Sequence, residues 1–128
     1  MPRLCYALDL HDDAAMIAEY ERWHQAENVW PEIVESIVSA GIRDLEIHRV
    51  GDRLVLIMDV DENYDPAAKA AADAANPHVR TWEDLMWRFQ KPIPGTPAGE
   101  KWRAMRRIFS LAQTRAEHET AAHAQAES

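Results

Sequence analysis

Large apolar side chains recur at every second position through Leu4, Tyr6, Leu8 and Leu10, a period that predicts a strand over residues 3–10 with one heavily buried face. The period then changes to that of a helix. Met16, Ile17, Tyr20, Trp23, His24 and Glu27 share one side of the helical wheel, while Glu19, Glu21, Arg22 and Gln25 share the other. Asp12 or Asp13 can cap this helix. Trp30-Pro31 should interrupt it, because a proline fits best in the first turn of a new helix. Ile33, Val34, Ile37 and Val38 give that new helix its apolar stripe, and Gly41 supplies a stop. Two strands follow, about 43–50 and 53–60, joined by Gly51-Asp52, a dipeptide suited to a tight hairpin. The second is apolar on both faces, Leu54, Leu56 and Met58 opposite Val55 and Ile57, and reads as a central strand.

Asp65-Pro66 and Asn76-Pro77 both read as a cap followed by a first-turn proline, starting helices at about 66–75 and 77–90. Val79, Trp82, Leu85, Met86 and Phe89 form the inward stripe of the second. The proline- and glycine-rich stretch 91–99 reads as a loop, and a last strand is expected over about 102–111. Beyond Leu111 the apolar periodicity stops, so residues 1–111 are expected to form the domain and 112–128 a flexible or frayed helical tail. The order is the βαββαβ pattern of ferredoxin-like α+β folds, an antiparallel sheet with helices on one face. Its open face would leave apolar residues of the central strand wet. A second copy packed sheet to sheet would cover them and make an α+β-barrel homodimer.

Composition narrows the function classes. A chain of 128 residues, 47% apolar, has room for one core, and its longest apolar run, Leu54 to Met58, is far too short to span a bilayer. The N-terminal residues show no sustained apolar stretch of the secretory kind, and the lone Cys5 fits a reducing compartment. A cytoplasmic protein is therefore expected, with no membrane partner. Cys5 itself reads as a buried inert thiol or a reactive one. A net charge of −8 opposes a nucleic-acid partner and makes a neutral ligand the more comfortable choice. The late cluster Arg103, Arg106 and Arg107 fits a solvated strand face or a dimer contact. No metal, phosphate-loop or nucleophile-elbow signature is present, so neither metal nor cofactor is expected.

What stands out is Tyr20 with His24, four residues apart and on one helical face. That face also carries Met16, Ile17 and Trp23. A phenol and an imidazole placed among apolar groups must be hydrogen-bonded to repay their desolvation. Histidine also exchanges a proton readily near neutral pH, so His24 is either an acid–base catalyst or a satisfied core histidine. Five tryptophans offer flat faces for a sugar ring; Trp82 lies on an inward stripe and reads equally as core.

The run Glu19-Tyr20-Glu21-Arg22-Trp23-His24, followed by Trp30-Pro31-Glu32, resembles a segment of the L-rhamnose mutarotase family, and the resemblance extends over about residues 3–111. It implies a dimeric α+β barrel that interconverts sugar anomers without a cofactor. It also implies acid–base catalysis by His24, with Tyr20 as sugar contact and catalytic counterpart, Trp82 stacking on the sugar, and Leu45 and Thr81 shaping the wall. Two further family contacts fall on Leu45, where the family carries tyrosine, and on Thr81-Trp82, where it carries tandem tryptophans. These differences, with the run Arg80 to Gln90 and Gly99-Glu100-Lys101-Trp102, resemble a subgroup associated with L-fucose breakdown. The resemblance thus implies a mutarotase acting on a 6-deoxy-L-hexose, L-fucose ahead of L-rhamnose. Rival readings are a small monooxygenase or decarboxylase on the same scaffold, or a non-catalytic sugar-binding module.

Overall fold

A computed structural model of the chain describes residues 2–127. Strand β1 (Arg3–Leu10) leads to helix α1 (Ala14–Trp23), capped by the Asp13 carboxylate, which accepts from the Met16 amide at 3.0 Å. Helix α2 (Pro31–Ser39) starts on its proline and ends before Gly41, whose φ of 88° only glycine adopts readily. A Cβ at Gly41 would also press on Asp61 Oδ2 at 3.1 Å. Strands β2 (Ile42–Val50) and β3 (Arg53–Val60) form the expected two-residue hairpin, with Val50 opposite Arg53. Helices α3 (Pro66–Ala75) and α4 (Pro77–Trp87) begin as read, on Asp65 and Asn76 caps followed by proline.

The sheet runs β2-β3-β1 and then an edge strand split in two. Strand β4 (Gln90–Lys91) pairs with the end of β1 and β5 (Arg103–Ala104) with its middle, both antiparallel. Residues 92–102 loop out between them, as three prolines that cannot donate to a ladder require. This is the ferredoxin-like α+β arrangement, with three corrections to the expected boundaries. Helix α4 stops at Trp87 because the Phe89 carbonyl and Gln90 are drawn to the sheet edge, where His11 N–H donates to Phe89 O at 3.0 Å. Helix α1 ends at Trp23 rather than reaching Glu27, since the Asn28 side chain donates to the Arg22 carbonyl at 2.8 Å and turns the chain away. The last strand does not run to Leu111. Only Arg103 and Ala104 pair, opposite Ala7 and Tyr6, and the ladder is left after the Met105 N–H donates to the Cys5 carbonyl at 2.8 Å. The tail is helix α5 (Leu111–Glu127), without an apolar stripe and exposed over residues 111–125 except at half-buried Thr114.

Paired residues of adjacent strands share a face. Leu8, Leu10, Leu54, Leu56, Met58 and Val60 therefore point together toward the helices and are buried. They join Tyr20, Ile33, Val79, Trp82, Met86 and Phe89 in the core. The apolar stripe expected on α2 is only half used: Ile33 is buried, but Val34 and Val38 are 50% and 65% exposed. Cys5, Ala7, Val55 and Ile57 lie on the opposite, helix-free face and are half-buried.

Candidate active site

Tyr20 occupies the last turn of α1, and His24 is the residue that closes the helix, with φ −94° and ψ 1°. Their rings lie 4.4 Å apart between centroids. His24 Nδ1 is 2.7 Å from the Tyr20 carbonyl oxygen. A carbonyl only accepts, so Nδ1 carries the proton, and the basic atom of the neutral ring is Nε2. Burial lowers the His24 pKa below its usual 6.5, partly offset by that backbone hydrogen bond. Burial likewise pushes the Tyr20 hydroxyl up to about 12, with a hydrogen bond from Gln90 opposing the rise and the charge of Glu83 adding to it. At neutral pH the pair is a neutral base beside a protonated phenol.

Both line a cavity of about 740 Å³ between the helix-facing side of the sheet and the helices. That volume falls within the range of small-molecule sites, ~300–1,000 Å³. Trp82, 6% exposed, forms part of its wall and is met edge-on by His24, Trp23 and Trp30 at centroid distances of 5.8, 6.2 and 5.1 Å. The alternatives of core residue and ring platform are thus not exclusive: Trp82 is packed from one side and borders the cavity on another. Leu45 also lines it, pointing to the helix side of β2 opposite Met58. Thr81 does not. It is exposed, and its hydroxyl donates back to the Pro77 carbonyl at 3.0 Å. Successive helical residues are turned by about 100°, so a helix that aims Trp82 inward aims Thr81 away.

Several wall residues had no site role in the sequence reading. Gln90, 4% exposed, donates from Nε2 to the Tyr20 hydroxyl oxygen at 3.2 Å. Lys101 and Trp102 enter from the end of the loop, where Lys101 ion-pairs with Glu83 and lies 5.0 Å over the Trp87 ring. On another wall Tyr64 sits near the Lys69–Asp73 pair, 2.7 Å long. None of these carries a local signal, since strand pairing and loop closure bring them in from far along the chain. Among the described residues no group of three or more His, Cys, Asp or Glu side chains is arranged to hold a metal ion.

The sequence profile of the L-rhamnose mutarotase family matches residues 3–111. The chain belongs to this family. Its relatives include an L-fucose mutarotase of Xanthomonas campestris, 64% identical over 113 residues, which span 88% of this chain and 90% of that protein. Among solved structures, the L-rhamnose mutarotase of Formosa agariphila superposes with a TM-score of 0.62 at 18% identity, covering 87% of this chain and 99% of that one. The tetracenomycin F2 cyclase of Streptomyces glaucescens has the same coverage, a TM-score of 0.58 and 11% identity. These two likenesses concern the fold, and the second shows that it hosts unrelated chemistry.

Proposed function

We propose that this member of the L-rhamnose mutarotase family interconverts the α and β anomers of L-fucose, with Tyr20 and His24 moving the protons. The substrate rests on the 64% identity to the Xanthomonas L-fucose mutarotase over nearly the whole domain. The mechanism rests on one observation: a histidine whose Nδ1 is committed to a backbone carbonyl, lining a cavity beside a neutral phenol. Nε2 of His24 takes the proton of the anomeric hydroxyl as the C1–O5 bond breaks, and the phenol of Tyr20 gives its proton to O5. The product is the open aldehyde. Rotation about C1–C2 and the reverse transfers close the ring on the other face. Trp82 and Leu45 bound the sugar. Nothing here requires a redox group, and acid–base assistance of this kind is typically worth ~10²–10⁴-fold, roughly 3–5 kcal/mol. Sugars already mutarotate unaided, so that contribution suffices.

NMR saturation transfer between anomers of L-fucose, L-rhamnose and D-glucose tests this reading. Exchange well above the buffer rate, fastest for L-fucose, is expected. A preference for L-rhamnose would reassign the substrate; sugar binding with exchange at the buffer rate would make the protein a non-catalytic binder.

The working unit we propose is a cytoplasmic homodimer. Half-buried Val55 and Ile57 on the helix-free face, and Met105, Ile108 and Phe109, which are 50%, 91% and 67% exposed, suit burial against a second copy. A free cysteine on that face suits a reducing compartment. No helix among the described residues is long and apolar enough to cross a membrane.

A further inference from the structure

Gln90 stands in an unusual position. It opens the short β4 strand, paired with Leu10, so its backbone is fixed by the sheet edge. Its side chain is 4% exposed and borders the cavity. Nε2 donates to the Tyr20 hydroxyl oxygen at 3.2 Å, whereas Oε1 is buried and has no hydrogen-bond partner among the described residues. An orphaned buried acceptor is unfavourable, and an apolar side chain of similar size would remove the penalty. The amide is therefore kept at a cost to stability, and what it does is hold the hydroxyl of Tyr20.

The direction of that bond matters. A phenol has one proton to give. With Nε2 as donor, the Tyr20 oxygen receives and its proton stays free; an acceptor in the same place would take the proton instead. We propose that Gln90 is a positioning residue that fixes Tyr20 as a donor toward the sugar, so that the proton delivered to the ring oxygen is always available. This inference rests on the mutarotase reading given above. Gln90 touches Tyr20 and acts through it.

The test is a double-mutant cycle with Tyr20→Phe, read as kcat and KM for L-fucose anomer exchange alongside thermal melting. Gln90→Leu is expected to lower kcat by about tenfold, leave KM within about twofold, and melt at or above the wild-type temperature. In the Tyr20→Phe background the same substitution should change kcat by less than about twofold. Gln90→Glu keeps the shape and checks the direction of the bond. Ionised, its carboxylate only accepts and should depress kcat; as pH falls the buried carboxyl takes a proton, donates again and should restore the rate relative to wild type. Wild-type kcat in folded Gln90→Leu, equal losses with and without the Tyr20 hydroxyl, or exchange by Gln90→Glu that stays undiminished at a pH where its carboxyl is ionised would each overturn the inference. If the wild-type protein itself leaves exchange at the buffer rate, the functional reading falls and takes this one with it. Active wild type with an indifferent Gln90 sinks only the positioning role.

Discussion

The strands' own charges on the helix-free face and the Tyr20–His24 pair under the helices are held in different ways. On the helix-free face charges come in pairs: Arg53 grips Asp9 through two bonds of 2.7 and 3.1 Å, and Arg3 meets Asp59 at 3.0 Å. Such groups satisfy one another, which suits a surface. On the helix-covered face buried Tyr20 and half-buried His24 have no ionic partner, although the Lys101–Glu83 and Lys69–Asp73 pairs stand at the same cavity, and burial moves both rings toward their neutral forms. Trp23 Nε1 and Gln90 Oε1 on this side have no hydrogen-bond partner among the described residues. Folding alone would favour filling such a region with leucine. Unpaired, neutral, proton-handling groups around a cavity are what the proposed ring opening needs.

If the contrast holds, substitutions on the two faces must have different consequences. The largest loss is expected from His24→Ala: anomer exchange should fall by ~10²–10⁴-fold while the far-ultraviolet circular dichroism spectrum stays native. Next comes pH. The catalysed rate should be constant through neutrality and decline only below the ordinary histidine value, because Nε2 must be free and its pKa is lowered. Stability follows the same sign. His24 is kept neutral in the fold, so its contribution is intact above the unfolded pKa near 6.5 and is lost as pH falls below it. Tyr20, raised to about 12, contributes stability that is intact below pH 10 and lost as pH rises toward 12. Chemical denaturation of wild type against Tyr20→Phe should expose that alkaline loss, on the order of 2 kcal/mol. A third substitution addresses the cover of the open face. Val55→Asp should shift sedimentation toward the 14.6 kDa monomer. Smallest of all, Arg3→Ala should leave exchange unchanged and the melting temperature within about 2 °C, since it breaks only an exposed ion pair.

Local signals on the chain account for much of this arrangement. The alternation in β1, the hairpin at Gly51-Asp52 and the three helices begun by proline are short-range features, and they stand where the pattern puts them. Tyr20 and His24 were legible for the same reason, since four residues of helix bring them together. Illegible were the residues that depend on tertiary assembly. Gln90 reads as the end of a helix until β1 claims it; Lys101 and Trp102 join the cavity only because an eleven-residue excursion (92–102) returns to the same edge. Thr81 was placed at the site only by the resemblance, which sets the family's tandem tryptophans at Thr81-Trp82; here it is exposed and does not line the cavity. The edge strand was read too long because only Arg103 and Ala104 enter the ladder with β1, a limit that its own sequence pattern does not carry.

The proposed mechanism needs His24 to be a neutral base with a free Nε2 facing the cavity. Nitrogen-15 NMR of the histidine side chains reads this directly, with His24→Ala identifying the signal. At pH 7 His24 should show a protonated Nδ1 and a bare Nε2, and the Nε2 resonance should move when L-fucose is added. A positively charged ring at that pH, or a proton resident on Nε2 and no response to the sugar, would contradict the account.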